Sequence, residues 1–94
     1  MTGDGETLYV RNPAVTETTL DDDVFLVEPE TGEVFYLNAV TSGLWTLFAA
    51  PTSVSDAVAA YRAAFPDEPA EKIVADVRGA TADMLARDLI VILS

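Results

Sequence analysis

The sequence predicts an α+β protein in which a three-stranded antiparallel sheet precedes three helices. Two observations carry this expectation. The stretch Glu28-Pro-Glu-Thr-Gly-Glu-Val-Phe-Tyr-Leu-Asn38 reads as two strands around a glycine turn, and after it the apolar residues recur at helical rather than alternating spacing. Asn38, Pro51, Ser53 and Pro66 then fall where helices would start and stop.

Taken in order, Thr7 to Val10 reads as a short strand or an ordered arm, broken at Asn12-Pro13, since proline cannot serve a strand centre. Ala14 to Leu20 is an extended stretch rich in β-branched residues. Asp21 to Asp23 forms a polar turn, Val24 to Glu28 a strand, Pro29 to Gly32 a second turn, and Glu33 to Leu37 the returning strand. In that last strand Phe35 and Leu37 share one face and Val34 and Tyr36 the other. Both faces are therefore apolar, one suited to the core and the other inviting a partner.

Asn38 can cap a helix over Ala39 to Ala49, with Val40, Leu44, Trp45 and Phe48 at helical spacing and Pro51 as its stop. Ser53 with Asp56 resembles a capping box and starts a second helix to about Phe65, placing Val54, Val58, Tyr61 and Phe65 inward. A third and longest helix runs from Pro69 to about Arg87, with Ile73, Val77, Ala80 and Met84 as its stripe. Val74, Thr81 and Leu85 make a second strip beside it, so the apolar face is wider than one neighbour needs. Part of it lines a groove, or all of it fills the core; Asp76, Asp83 and Arg87 border the stripe and could fix polar ends of a bound segment. Gly79 sits mid-helix, where it costs about 1 kcal/mol relative to alanine. Leu89 to Leu93 closes the chain as a short strand or a buried tail.

At 94 residues, half of them apolar, the chain is expected to fold as one domain over residues 1–94, with residues 1–7 available as a flexible arm. It has no cysteine and no histidine, which removes disulfides, thiolate chemistry and the usual neutral-pH base and metal ligand. No catalytic residue, metal site or cofactor is expected. No apolar run is long enough to span a bilayer, and Met-Thr-Gly-Asp-Gly-Glu lacks the segments of a secretion signal, so the expected location is cytoplasmic, off the membrane. Sixteen carboxylates against five cations leave a formal charge of −11, with nine acids and one base in residues 1–38. Such a surface repels phosphate backbones and favours basic or neutral partners.

Over about residues 8 to 93 the chain resembles the PqqD-like proteins, stand-alone peptide-binding domains known as RiPP recognition elements. The resemblance rests on Gly32-Glu-Val-Phe-Tyr-Leu-Asn38, on Leu44-Trp45, on Val54-Ser-Asp-Ala-Val58 with Tyr61, and on Ile73-Val-Ala-Asp-Val77 leading to Met84-Leu85 and Leu89-Ile90. Members often carry glycine near position 88, where this chain has Asp88, a residue that tolerates left-handed backbone better than most. The resemblance implies a winged-helix-like domain that performs no chemistry. It would bind the leader segment of a ribosomally made precursor peptide and deliver it to a maturation enzyme, whether a lasso-peptide protease, a radical enzyme or another maturase. The leader would join the sheet beside Glu33–Leu37 and lie against the third helix, here Ala70 to Arg87. The implied peptide-binding residues are Val34, Phe35, Tyr36 and Leu37 on the strand, and Ile73, Asp76, Val77, Ala80, Asp83, Met84 and Arg87 on the helix. An unpaired strand edge fits this role, because its N–H and C=O groups give affinity while alternate side-chain pockets give selectivity. The cleft between Val34 or Tyr36 and the helix stripe would supply the selectivity. A monomer or a strand-exchanged dimer is compatible with such an edge.

Other classes fit less well. A winged-helix DNA binder needs a basic recognition helix, whereas Lys72, Arg78 and Arg87 sit among Glu71, Asp76, Asp83 and Asp88. Asp21 to Asp23 lack the alternating ligand spacing and glycine of a calcium loop and read as a solvated turn. An interaction or scaffold subunit that recognises no leader is the remaining rival.

Overall fold

The computed structural model describes residues 7–93, so the arm expected at the N-terminus lies outside the described residues except for Thr7. Among the described residues nine elements follow one another: β1 (Leu8–Arg11), β2 (Thr16–Leu20), β3 (Asp23–Glu28), β4 (Glu33–Leu37), α1 (Ala39–Leu47), β5 (Thr52–Ser53), α2 (Val54–Ala64), α3 (Ala70–Ala86) and β6 (Ile90–Leu93). The expected meander is present as the antiparallel sheet β2-β3-β4, with Val24 opposite Leu37 and Leu26 opposite Phe35. Its two turns use left-handed backbone at Asp21 (φ 57°) and Gly32 (φ 76°), residue types that reach this region at low cost.

A second sheet, in the order β5-β1-β6, was not legible in the sequence. The first strand is its centre, pairing antiparallel with the chain's last residues from Leu8 opposite Leu93 to Arg11 opposite Ile90. The two-residue β5 adds on the other side, with Leu8 opposite Ser53. Of the two readings of the C-terminal run, the strand is the one realised, and the first strand, not the meander, receives it.

The helices begin where their caps say. The Asn38 side chain accepts from the Thr41 N–H at 2.9 Å, and Ser53 accepts from the Asp56 N–H at 3.1 Å. α3 ends in a Schellman motif: the Leu89 N–H donates to the Met84 carbonyl at 3.0 Å and the Asp88 N–H to the Leu85 carbonyl at 3.0 Å. Asp88 takes the left-handed position there, φ 60°, so the aspartate fills the role a glycine usually has.

The core lies between the inner face of the meander and the helices. Leu26, Leu44, Phe48, Val77, Met84, Leu89 and Ile90 are almost fully buried in it. Burial of such side chains is worth about 1.5–3 kcal/mol each against exposure. Trp45 ties the layers together, its indole N–H donating to Glu17 at 2.8 Å while the Arg11 guanidinium stacks 4.5 Å from its ring and donates to its carbonyl at 2.8 Å. Tyr61 on α2 donates its hydroxyl to the Val40 carbonyl on α1 and lies so close to Gly43 that a Cβ there would collide with it.

Candidate functional site

An edge strand with a long helix beside it can take a ligand. β4 is the last strand of its sheet, and no described strand pairs along its outer edge. The chain's own C-terminal strand is spent on β1. No described strand takes the backbone N–H and C=O groups on that side, although side chains meet β4 backbone at its ends, where the Glu33 N–H donates to Thr31 Oγ1 at 3.2 Å and Ser42 Oγ donates to the Leu37 carbonyl at 3.4 Å; such an edge can accept a foreign strand.

Beside this edge lies a cleft of about 290 Å³ between β4, the β4–α1 corner and the last turns of α3. Asn38 and Thr41 from the corner and Asp83, Met84, Arg87 and Leu89 from the end of α3 line it together with Val34 to Leu37. Its apolar floor comes from residues that the core holds in place, since Leu37, Met84 and Leu89 are buried. The Schellman turn fixes its far wall, because it carries the chain from Arg87 to Leu89 without a break. Arg87 pairs with Asp83 at 3.1 Å and lays its guanidinium 5.4 Å from the Phe35 ring, so the wall offers one neutralised ion pair and a cation over an aromatic face.

The structure divides the residues expected at the site into three groups. Phe35, Leu37, Asp83, Met84 and Arg87 come together in the cleft. Val34 and Tyr36 contribute to its edge, but their side chains occupy the sheet's outer face: Tyr36 packs on Phe25 with ring centroids 5.5 Å apart and reaches Asp23 at 3.3 Å. The expected cleft between Val34 or Tyr36 and the helix is therefore formed by Phe35 instead, because alternation turns Phe35 and Leu37 toward α3. The third group lies further along α3. Val77 is fully buried in the core, Ala80 is half-buried against it, and Ile73 with Asp76 lines a separate depression nearer the helix N-terminus. Asn38, Thr41 and Leu89 are cleft residues that sequence reasoning missed; the cap assigned to Asn38 was the one signal that the corner would be fixed in space.

Burial raises the Tyr61 hydroxyl above its ordinary value, and Lys72 is raised by its hydrogen bond to Asp76 and by the Asp76 and Glu68 charges. Among the described residues no group of three or more acidic, histidine or cysteine side chains could hold a metal ion, and no helix is long and apolar enough to cross a membrane.

Known proteins share this fold. The sequence profile of PqqD, described as coenzyme PQQ synthesis protein D, matches residues 23–90. Among solved structures, TbiB1 in complex with the TbiA(beta) leader peptide is similar, at a TM-score of 0.75 and 26% identity over 86% of this chain and 93% of that one. No curated protein sequence matches.

Proposed function

The chain belongs to the PqqD family, and from that premise we propose that it is a non-catalytic recognition element for the leader of a ribosomally made precursor peptide. The leader adds as a strand along the outer edge of β4, and its side chains enter the cleft against the end of α3. The protein holds the leader while a maturation enzyme acts on the rest of the precursor. It works in the cytoplasm, over residues 1–94 as one peptide-binding domain. The similar TbiB1 structure was solved with a leader peptide, which supports this choice of ligand. The observation that carries the reading is the uncovered edge of β4 beside the Phe35–Arg87 wall.

Strand addition draws affinity from main-chain hydrogen bonds and selectivity from every second side chain. Nucleic acid is no partner in this reading: Lys72 on α3 is held by Asp76 at 2.9 Å and Glu68 at 3.4 Å, and Arg87 at its C-cap by Asp83. A scaffold reading is favoured by one feature, the sheet's outer face, where Leu20, Val34 and Tyr36 are each 60% exposed. That face and the edge are separable by experiment.

The test is a backbone N-methyl scan of the TbiA(beta) leader peptide bound to this chain, read by calorimetry. Strand addition predicts that methylation at alternate residues weakens binding by about tenfold or more, while the intervening positions tolerate it. Phe35→Pro should abolish binding with circular dichroism close to wild type. A scan with no period of two would remove the mechanism.

A further inference from the structure

The expected site residues Ile73 and Asp76 are not in the cleft, yet they line a depression of about 260 Å³ with Ala39, Val40, Tyr61 and Phe65. Phe65 is unusual there. It caps the end of α2 and is 52% exposed, its ring next to Tyr61 at a centroid distance of 6.1 Å, where a large apolar side chain gains nothing from water.

The two depressions share the β4–α1 corner. Asn38 and Thr41 line the cleft, and Ala39 and Val40, between them in the chain, line the second hollow. Asp83 and Asp76 mark the two along α3, two helical turns or roughly 10 Å apart. β4 runs from Glu33 to Leu37 directly into this corner, so a segment leaving the strand's Leu37 end heads for the second hollow. Three extended residues cover roughly 10 Å.

Resting on the reading of β4 as the leader's docking edge, we propose that this hollow is a second anchor pocket of the same peptide, and that Phe65 is its specificity-determining residue. It takes one large apolar side chain placed about three residues beyond the segment paired with β4. Glu68 and Asp76 outnumber Lys72 at the rim, and both already hold it, so the rim carries net negative charge. A peptide with Lys or Arg beside the apolar anchor complements that rim, whereas an acidic neighbour is repelled.

A displayed library of random peptides selected on the whole protein tests this. Enriched sequences should combine an alternating segment with an apolar residue about three positions beyond it and a base nearby. In titrations with one selected peptide, replacing the anchor by alanine should cost about tenfold, as should Phe65→Glu in the protein. Combining the two should add little, the signature of side chains in contact. Phe65 is exposed, so circular dichroism should show the variant folded. If a peptide cut back to its alternating segment binds wild type as tightly as the full one, or Phe65→Glu leaves the affinity unchanged, the second pocket is overturned while strand addition stands. If no alternating segment is enriched at all, both fall together.

Discussion

At the residue scale, the contacts that shape the site are made by side chains whose ordinary chemistry the fold constrains. Tyr61 is one: its hydroxyl joins α2 to the first turn of α1 through the Val40 carbonyl. Burial disfavours the phenolate and raises its folded-state pKa above the unfolded value of about 10. The sign then follows: the stabilisation is complete below pH 10 and is lost as pH rises through the folded value. Tyr61→Phe should therefore cost about 1 kcal/mol at neutral pH, and its deficit should shrink in denaturant titrations above pH 10. A deficit independent of pH would mean that the hydroxyl is not desolvated. Asp88 is a second such residue. The sequence suggested an aspartate able to take a left-handed turn, and at φ 60° it closes the Schellman motif that ends α3.

At the element scale, the β4–α1 corner joins the edge strand to the helical layer. Asn38 ends the strand and starts the helix, accepting from both the Thr41 N–H and its hydroxyl. Asn38→Ala should cost about 1 kcal/mol in stability and should weaken leader binding more than a similarly destabilising change remote from the cleft, because Asn38 and Thr41 line it. Thermal melts and peptide titration on the same variant check both parts. The strands and helices were readable at this scale because their signals are local: alternation within Glu33–Leu37, and caps at Asn38 and Ser53. The further contacts of the α3 stripe were not. Ile73, Val77 and Met84 are all buried in the one core, yet Met84 also lines the cleft and Ile73 the second hollow. Spacing along a helix reports a face and not which neighbour covers each turn of it.

At the scale of the whole molecule, charge dominates. A net −11 on 94 residues sets up repulsion that the few ion pairs do not offset, since Lys72 and Arg87 are more than half exposed and such pairs are worth about 0–1 kcal/mol. Raising salt from about 10 mM to about 500 mM should therefore raise Tm by a few degrees in calorimetry, as screening relieves the repulsion. A fall in Tm would show that the local pairs outweigh it.

The amino-acid order by itself determined that a meander precedes three helices, that both faces of β4 are apolar, and that the chemistry of cysteine and histidine is closed to this protein. These follow from short-range pattern and from composition. Tertiary structure alone decided that β6 pairs with β1 across nearly the whole chain, and so that β4 keeps a free edge. It also decided that Phe35 rather than Tyr36 faces the helix end, and that Phe65 stands beside a second hollow across the β4–α1 corner from the cleft. The reason is physical: hydrogen bonding makes a strand from local residues, but which partner satisfies it is settled by packing among residues that sequence distance does not order.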